Sequence, residues 1–570
     1  MPTTRSLPQV IFNHLPGSLI YDDDRGLLGR VTNVDGNLDS SIDINRLADR
    51  IRITIDRWRQ GDNGGGGIVN PAVGYLQPSD IEVIRPESVE WEIFPYYFRC
   101  RRDDCGVWQY RQNLVDNQGY CYRCHSPLEQ TPFVWVHHCG YLTTLAPGKR
   151  SHCTKHRERS LYLYDTGTFT TSSWRCRECG HQAPIGFLEC PQCGSTNPRP
   201  QPMKWNDPGV FSSVTFQMVN LSQEDRQRLH VATQRNMALH AVLSYQLAPG
   251  VGAALALAEK SGTICSQCGT PASTSSAKFC DQCGAPLSHG TGEETIEDAE
   301  VTFSSEVIDD LVTYALLWDL PGTSSLRYKE AWKPTDRFGV ADLFHLEKFP
   351  VSLVGLGYRR QRSKRPATLC LFPSRATTKV IRVFTNSTEV EACGVRLDPE
   401  AVLSWLYDNS LATDNSGENS APSSNAFEKL QILINREPSV KQVVSGLLHT
   451  VSHAYIIGLS WCSGMDLPSF SEELLPGALT VIVHAGDTSL GGLSSVFSQT
   501  PWQPMELAAN DLVACQLDPS CSEDDGGACV ACLHLPLGCA QWNSCLSRAY
   551  LFGGETKEGY AISKGFWQQR

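Results

Sequence analysis

Cysteine pairs separated by two residues are the feature that most limits what this chain can fold into. Four such pairs occur between residues 176 and 283, and a glycine follows each of them. A two-residue spacer lets one tight turn direct two thiolates at a single ion, and a second turn completes a tetrahedral site. The glycine gives the backbone the conformational freedom that such a turn requires. The spacing therefore predicts zinc ribbons, each closed by two pairs of cysteines.

Sequence order groups the paired cysteines into three ribbons. Two ribbons are tight, and a third has a looser first turn; buried free thiols are the alternative for all of them. The predicted ligand sets are Cys176, Cys179, Cys190 and Cys193; Cys265, Cys268, Cys280 and Cys283; and Cys100, Cys105, Cys121 and Cys124.

A fourth group of candidate ligands mixes cysteine with histidine. The segment "HHCGYLTTLAPGKRSHCTKH" carries His137, His138, Cys139, His152, Cys153 and His156. Two interpretations stay open: a structural site that draws on Cys139, Cys153 and His156, or surface histidines around two isolated thiols. None of the sets shows a three-ligand pattern with a neighbouring carboxylate base, which a catalytic zinc site would need. We therefore expect structural metal and no catalytic residue.

Composition supports metal over disulfides. The 570 residues include 23 cysteines and carry a formal net charge of −12. The N-terminal segment lacks the charged and apolar regions of a secretory signal, and no run of about 18 apolar residues suggests a membrane span. These features predict a cytoplasmic protein without membrane contact, in which thiols stay reduced. The negative charge argues against coating nucleic acid by bulk charge, although local basic patches remain available.

The segment pattern predicts an α+β multidomain protein, with zinc ribbons inserted in a mixed α/β core and a C-terminal α/β zinc-binding domain. Helical periodicity is clear in "SSEVIDDLVTYALLW" and in "SVKQVVSGLLHTVSHAYIIGLSW", and "LSQEDRQRLHVATQRNMALHAVLSY" also reads as a helix. The expected divisions are a β-rich region at 1–95, a zinc-ribbon region at 96–200, a middle domain at 201–410 with a ribbon inserted at 262–290, a linker at 411–427 and the C-terminal domain at 428–570.

Two features of the C-terminal domain leave hydrolysis as a weak alternative. His449 and His453 stand four residues apart, as in the HExxH motif of zinc proteases, but Thr450 occupies the position of the catalytic glutamate. Core-facing or capping histidines are therefore the favoured interpretation. A hydrolase would use His449, His453, His484 and Asp487. The glycine-rich turn after "ALTVIVHA" fits either a phosphate cradle or a simple tight turn, and no Walker A motif occurs.

The same C-terminal residues resemble a known family. "LLHTVSHAYIIGLS", "TVIVHAGDTSLGGLSSV" and "CSEDDGGACVACLHLPLGCAQWNSCLSRAYLFGG" occur in the order found in MrfA-like zinc-binding domains, which accompany superfamily-two helicases. The resemblance covers about 115 residues. It implies zinc held by Cys529, Cys532 and Cys539 with Cys521 upstream, while Cys515 and Cys545 compete for the fourth position. The family's asparagine corresponds to Asn543, and its Leu-Asp-Arg corresponds to Leu546, Ser547 and Arg548, so the aspartate is replaced. In such a tail a structural zinc could contribute on the order of 10 kcal/mol.

Further segments, "RSLPQVIFNHLPGSLI" and "KFPVSLVGLGYRRQRS", resemble the DrmB family of the DISARM anti-phage systems. That resemblance implies an accessory subunit without a motor, which binds a DrmA-like helicase and engages invading DNA. The three ribbons and the C-terminal cluster together predict three to five structural Zn²⁺ ions per chain. A zinc-ribbon scaffold of another repair or transcription assembly is the alternative.

A short basic run is the candidate DNA contact. "YRRQRSKRP" places Arg359, Arg360, Arg362, Lys364 and Arg365 beside a tyrosine that could stack on a base. We expect it to bind single-stranded DNA or an overhang. A second basic segment surrounds the Cys/His group, with Lys149, Arg150, Lys155, Arg157 and Arg159. The alternative for both is a solvated loop that pairs with acidic neighbours.

Overall fold

The computed structural model describes most of the 570 residues. The described ranges are 5–60, 67–69, 76–102, 104–111, 119–145, 153, 155–156, 161–164, 171–221, 279, 304–325, 337–360, 368–374, 379–413, 426–486, 492–536, 538–539 and 541–568. The predicted ribbon of Cys265, Cys268, Cys280 and Cys283, the helix predicted after residue 221 and most of the predicted linker lie outside these ranges.

The N-terminal part of the chain is mostly short strands. Its two helices are α1 (Leu7–Asn13) and α2 (Ile44–Gln60). Its strands are β1 (Leu19–Asp22), β2 (Leu27–Leu38), β3 (Ile68–Val69), β4 (Ile81–Ile93), β5 (Tyr97–Cys100), β6 (Trp108–Tyr110), β7 (Leu128–Gln130), β8 (Phe133–Val136), β9 (Leu142–Thr144), β10 (Leu161–Tyr164), β11 (Ser173–Cys176), β12 (Gln182–Pro184), β13 (Gln201–Lys204) and β14 (Ser212–Val219).

The remainder combines long strands with helices. The helices are α3 (Ser305–Leu317), α4 (Pro399–Asp408), α5 (Ala426–Arg436), α6 (Pro438–Ser463), α7 (Leu493–Gln499), α8 (Gln503–Leu512), α9 (Ser520–Glu523) and α10 (Ala549–Phe552). The strands are β15 (Ser324–Ser325), β16 (Val340–Arg359), β17 (Leu369–Pro373), β18 (Ile381–Leu397), β19 (Phe470–Leu475), β20 (Thr480–Ala485), β21 (Gly554–Glu555) and β22 (Ala561–Ile562).

The chain divides into two compact units. Unit 1 comprises residues 1–218 and 352–387, and unit 2 comprises 219–351 and 388–570. This division differs from the predicted domains because the segment 352–387 returns to the N-terminal unit. There, Ile381–Phe384 of β18 pairs in parallel with Ile81–Ile84 of β4. Parallel pairing between segments 300 residues apart leaves no local pattern in the sequence.

Unit 1 is built on the antiparallel strands β1, β2 and β4. The amphipathic helix α2 buries Leu47, Ile51 and Ile55 in one of its hydrophobic clusters. The region predicted to be β-rich therefore also contains a helix of 17 residues. Among the described residues of this unit, three further sheets of three strands each, β5–β6–β7, β8–β9–β13 and β10–β11–β12, and the loops beside them carry the cysteines between residues 100 and 193, while Cys370 lies on β17 of the large sheet. Each sheet is too small to bury much apolar area on its own, which is where bound metal stabilises a fold.

Unit 2 has one large core arranged around α6. Pro438 occupies the first turn of this helix, and Gly464, at φ 72°, ends it. Strand β20 is buried along its whole length and pairs antiparallel with β18 and β19. At Gly458 a Cβ would lie 1.9 Å from the carbonyl oxygen of Pro504, so only glycine lets α6 approach α8 this closely. The helices predicted around 304–318 and 439–461 and the buried strand at 478–485 are confirmed.

Among the described residues, α6 is the one helix long and apolar enough to cross a membrane, judged by length and composition alone. Its most apolar 18-residue window is 89% buried within the fold. Packing in a protein core therefore accounts for its composition.

Candidate metal centres

Nineteen cysteines of the described residues are free thiols, and most of them collect in groups whose ligand atoms converge. Five groups of four residues place one ligand atom from each member within 4.8 Å of the others. We number them in chain order: cluster 1, Cys100, Cys105, Cys121 and Cys124; cluster 2, His137, Cys139, Cys190 and Cys193; cluster 3, Cys153, His156, Cys176 and Cys179; cluster 4, His449, His453, Glu472 and Cys539; cluster 5, Cys515, Cys521, Cys529 and Cys532.

The distances within the clusters fit a tetrahedral ion. A Zn–S bond of about 2.3 Å separates two tetrahedral sulfurs by roughly 3.8 Å. In cluster 1 the Sγ atoms of Cys100 and Cys124 are 3.4 Å apart, and those of Cys105 and Cys121 are 3.7 Å apart. A disulfide would bring two sulfurs to about 2.05 Å. The clusters are therefore compatible with structural zinc, and cluster 1 has the membership that the sequence predicts.

Clusters 2 and 3 correct the predicted ribbon at residues 176–193. Cys176 and Cys179 lie with Cys153 and His156, whereas Cys190 and Cys193 lie with His137 and Cys139. The four ligand pairs are thus nested, with the second and third pairs forming one cluster and the first and fourth forming the other. Sheet pairing explains the separation. The first CxxC turn caps the hairpin β11–β12, whose strand β11 pairs with β10, and β12 then carries the chain away before Cys190.

The mixed cysteine and histidine site that the sequence left open is thus divided between these two clusters. In cluster 2 the Nε2–H of His137 can donate to the carbonyl oxygen of Pro198 at 3.0 Å, which leaves Nδ1 facing the Sγ of Cys139 at 3.1 Å. This orientation is typical of a metal-bound imidazole held by a second partner. In cluster 3 the Nδ1 of His156 lies 3.5 Å from the Sγ of Cys153. His138 instead contacts Thr368, and His152 lies outside the described residues.

Glycine closes the CxxC turns of both clusters. Gly180 and Gly194 follow Cys179 and Cys193 at φ +69° and +71°. Their amides donate to the carbonyls of Cys176 and Cys190 at 2.9 and 2.8 Å. Both glycines thus adopt the left-handed backbone, which uses the conformational freedom that glycine provides.

Cluster 5 corrects the ligand set that the family resemblance implied. Cys529, Cys532 and Cys521 are joined by Cys515, and Cys539 belongs to cluster 4 instead. The Sγ atoms of Cys515 and Cys529 are 3.6 Å apart, and those of Cys521 and Cys532 are 3.7 Å apart. Spacing alone could not separate these choices, since the loops between the cysteines are of similar length.

Two residues that correspond to the family's Leu-Asp-Arg motif brace cluster 5. Arg548 donates to both carboxylate oxygens of Asp518 at 2.6 and 2.8 Å. Asp518 in turn accepts from the backbone N–H of Cys515 at 2.7 Å, so this ion pair positions a ligand. Ser547 stands where the family has aspartate, and its hydroxyl donates to the carbonyl of Gly526 at 2.6 Å. The serine thus makes a backbone contact in place of an ion pair.

Cluster 4 joins three separate elements of unit 2. His449 and His453 lie on one face of α6, Glu472 on β19, and Cys539 in the loop before α10. The Nε2 of His449 is 3.2 Å from both the Sγ of Cys539 and Oε1 of Glu472, and the Nε2 of His453 is 3.4 Å from the same oxygen. Both histidines and the carboxylate are fully buried, while Cys539 is half-buried.

Backbone contacts fix the loop that carries Cys539. Gly538 accepts at its carbonyl from the N–H of Glu472, and a Cβ on this glycine would lie 2.0 Å from the carbonyl oxygen of Phe470. Asn543, the residue that matches the family's asparagine, bonds to both the N–H and the carbonyl of Leu535 at 2.8 and 2.9 Å. Its own N–H donates to the Sγ of Cys539 at 3.1 Å. The thiol is thus held against α6 and β19.

Charge within cluster 4 favours ionised ligands. Burial acts to raise the pKa of the Cys539 thiol, but the neighbouring side chains of His449 and His453 outweigh burial and lower that pKa to about 7. Burial likewise acts to raise the pKa of Glu472, and the two histidines hold it well below the usual range. The sequence analysis missed Glu472. The segment "FSEELL" could have indicated a ligand, because burying two adjacent glutamates in a strand is costly unless their carboxylates have partners.

Of the described residues of the hydrolase alternative, His449 and His453 share a cluster and His484 does not. His484 is buried on β20 with its Nδ1 beside the carbonyl of Ala485, and it belongs to none of the five clusters. Asp487 lies outside the described residues. His449 and His453 are buried, as the core-facing interpretation predicts, and their ring nitrogens also converge with Glu472 and Cys539.

The predicted DNA contact is altered at one position. Arg360 is 2% exposed, and its guanidinium donates to the carbonyl oxygens of Gly17, Gly140 and Val210. Because this guanidinium is buried and its three nitrogens already donate to carbonyl oxygens, it cannot bind phosphate. Arg359, on the opposite side of the strand, is exposed. Three residues of the first basic run lie outside the described residues: Arg362, Lys364 and Arg365. In the second basic segment Lys155 is described and exposed, and the other four basic residues lie outside the described part.

One protein family matches part of the chain. The family, described as a domain of unknown function (DUF8724), matches residues 6–221, a stretch that contains clusters 1, 2 and 3. No curated protein matches the chain.

Proposed function

We propose that clusters 1, 2, 3 and 5 hold structural Zn²⁺ and that the chain is a non-motor accessory subunit of a DNA-processing assembly. In this proposal the subunit binds a separately encoded, DrmA-like superfamily-two helicase and helps it engage foreign DNA in a DISARM-type defence complex. The proposal is supported mainly by the number of ligands in these clusters, which leaves no open coordination position. Each already has four ligands of cysteine or histidine, the composition of structural zinc sites and not of catalytic ones.

The ligand chemistry supports zinc as the ion. Thiolate and imidazole select zinc over Mg²⁺ and Ca²⁺, which prefer oxygen ligands. Backbone amides also point at the sulfurs, as at Cys529 and Cys515, whose Sγ atoms accept from the N–H groups of Ala531 and Leu517 at 3.4 Å. These bonds stabilise thiolates over thiols. Clusters of this kind stiffen loop-rich surfaces that other macromolecules can then recognise.

Surface chemistry near cluster 1 supports a nucleic-acid partner. Tyr110, Tyr120 and Tyr122 expose 53%, 57% and 46% of their surface. Arg111 follows the first of them and donates to the carbonyl oxygen of Tyr120 at 3.3 Å. Exposed aromatic rings beside arginine are the usual means by which proteins bind unpaired bases and their phosphates. This surface would complement the exposed Arg359.

The helicase partnership rests on the resemblance of the C-terminal unit to MrfA-like domains, and it is tested by co-expression. The chain is produced with the superfamily-two helicase encoded beside it, and the mixture is separated by size-exclusion chromatography. We expect both proteins to elute as one complex at micromolar concentration and the isolated chain to lack ATPase activity. A matched control uses a superfamily-two helicase from an unrelated operon. Independent elution of the chain and its neighbouring helicase would contradict the partnership.

A zinc-stabilised scaffold in another repair or transcription assembly is the second candidate. The same four closed clusters favour it equally, since they describe a scaffold and do not select its partner. Capture of a polymerase or repair nuclease in place of the helicase, from cells that contain both, would favour this candidate.

A further inference from the structure

We propose that cluster 4 is a metal site of a different class from the thiolate-rich clusters, with His449, His453, Glu472 and Cys539 as ligands of one Zn²⁺-type divalent ion. The family resemblance placed Cys539 with the other C-terminal cysteines, and nothing in it assigned Glu472 or the two histidines. The site concerns the folding of this chain alone, so it stands independently of the helicase partnership.

The orientation of the imidazoles is the first argument. In both rings the Nδ1–H donates to a backbone carbonyl, from His449 to Ser544 at 2.9 Å and from His453 to Leu533 at 2.7 Å. Each Nε2 therefore points into the cluster. The Nε2 of His453 is buried, and it has no hydrogen-bond partner. A neutral imidazole in this orientation directs a lone pair at the carboxylate of Glu472, which is repulsive unless a positive charge lies between them.

Charge balance is the second argument. One carboxylate and one thiolate carry two negative charges into an environment where both histidines and the carboxylate are fully buried. A buried net charge is costly unless it is compensated. A single divalent ion neutralises both charges and uses all four lone pairs at once. Two protons, one on each imidazole, are the other way to reach neutrality, and the experiment below separates the two states.

The donor set selects the type of ion. Two imidazole nitrogens, one carboxylate oxygen and one thiolate sulfur suit zinc and its transition-metal neighbours, and they do not suit Mg²⁺ or Ca²⁺. Nitrogen and oxygen ligands at about 2.0–2.1 Å from zinc would be roughly 3.3 Å apart in a tetrahedron. The separations of 3.2 and 3.4 Å between the two Nε2 atoms and Glu472 match this value.

The fourth ligand makes the site structural. Two histidines four apart on a helix and a later glutamate would leave one position open for water in a catalytic site. Here Cys539 occupies that position. Thr450, where a protease would have its base, donates its hydroxyl to the carbonyl of Gly446. The ion would join α6, β19 and the loop before α10 into one body.

The test is metal content of the full chain purified without an affinity tag that binds metal. Glu472→Gln should lower the zinc content by one equivalent, because an amide is a weak ligand and the charge balance is lost. Cys539→Ser should also lose one equivalent. The matched control is Cys462→Ser, a half-buried thiol at the end of the same helix that belongs to none of the five clusters. The Cys462→Ser protein should keep the zinc content of the wild type.

A second variant at Cys539 distinguishes the loss of a ligand from the loss of metal through misfolding. Cys539→His restores a four-donor site, so this variant should regain the lost equivalent. After reconstitution with Co²⁺, it should also lose the sulfur-to-cobalt absorption that this site adds to the wild-type spectrum. Wild-type zinc content in Glu472→Gln would overturn the proposal and leave a protonated ion-pair cluster. Failure of Cys539→His to regain the ion, with its far-ultraviolet circular dichroism unchanged, would also overturn it.

Discussion

At the scale of single residues, Arg360 shows how a basic run in the sequence can mislead. Five basic residues within seven positions predict a phosphate-binding loop, but Arg359 is the last residue of β16 and Arg360 follows it directly. Successive side chains of a strand point to opposite faces. Arg359 is consequently exposed, while Arg360 turns inward, stacks over Tyr358 at 4.8 Å and donates to three carbonyls. The alternation of side chains between two faces could be predicted from the sequence. Which of the two arginines is buried could not, because it depends on contacts with residues more than 100 positions away.

The two arginines should therefore respond differently to substitution by alanine. Arg360→Ala leaves three buried carbonyls without their donor and should destabilise the protein by about 3 kcal/mol or more. Thermal denaturation should show this as a melting temperature lowered by several degrees. Arg359→Ala should melt like the wild type and weaken binding of single-stranded DNA, with a salt dependence of log K reduced by about 0.7 per lost phosphate contact. Equal melting temperatures for the two variants would contradict the role given to Arg360.

At the scale of elements, the sequence predicted which residue types act as ligands, but it did not predict which pairs of ligands share a cluster. The CxxC turns depend on local sequence, so their cysteines were identified in advance, whereas Cys139 and Cys153 were left open as ligands. Pairing between turns depends on which strands form sheets, and the nearest pair in sequence was assumed to be the partner. The hairpin β11–β12 overrides that assumption because it places the turn at Cys176 beside β10. Glu472 was missed for a similar reason, since it becomes a candidate ligand only where β19 crosses α6.

The nested arrangement of clusters 2 and 3 can be tested by paired substitutions. Cys139→Ser with Cys190→Ser removes two ligands of one cluster and should lower the zinc content by one equivalent. Cys176→Ser with Cys190→Ser removes one ligand from each of two clusters and should lower it by two. The ribbon predicted from sequence order assigns Cys176 and Cys190 to the same ion, so it gives a loss of only one equivalent for the second variant. Elemental analysis of the two double variants distinguishes the arrangements directly.

At the scale of the whole molecule, clusters that could hold metal account for 15 of the 19 cysteines in the described residues. Short sheets such as β5–β6–β7 and β10–β11–β12 have small clusters of apolar side chains, in which cysteines are prominent members. Unit 2, by contrast, has a large apolar core, and its metal clusters lie where the loop-rich C-terminal segment joins that core. The mixed α/β character and the presence of cysteine clusters that could hold metal were predictable from the sequence. The return of residues 352–387 to unit 1 was not, because it depends on pairing with strands far away in the chain.

The number of ions per chain tests the central claim most directly. The sequence predicted three to five ions, whereas the described residues alone form five clusters, and the ribbon predicted at 262–290 would add a sixth. Inductively coupled plasma mass spectrometry of the tag-free full chain, with protein concentration from amino-acid analysis, gives this number. The account predicts five or six zinc ions per chain. Four or fewer, in protein that is folded by circular dichroism, would contradict it.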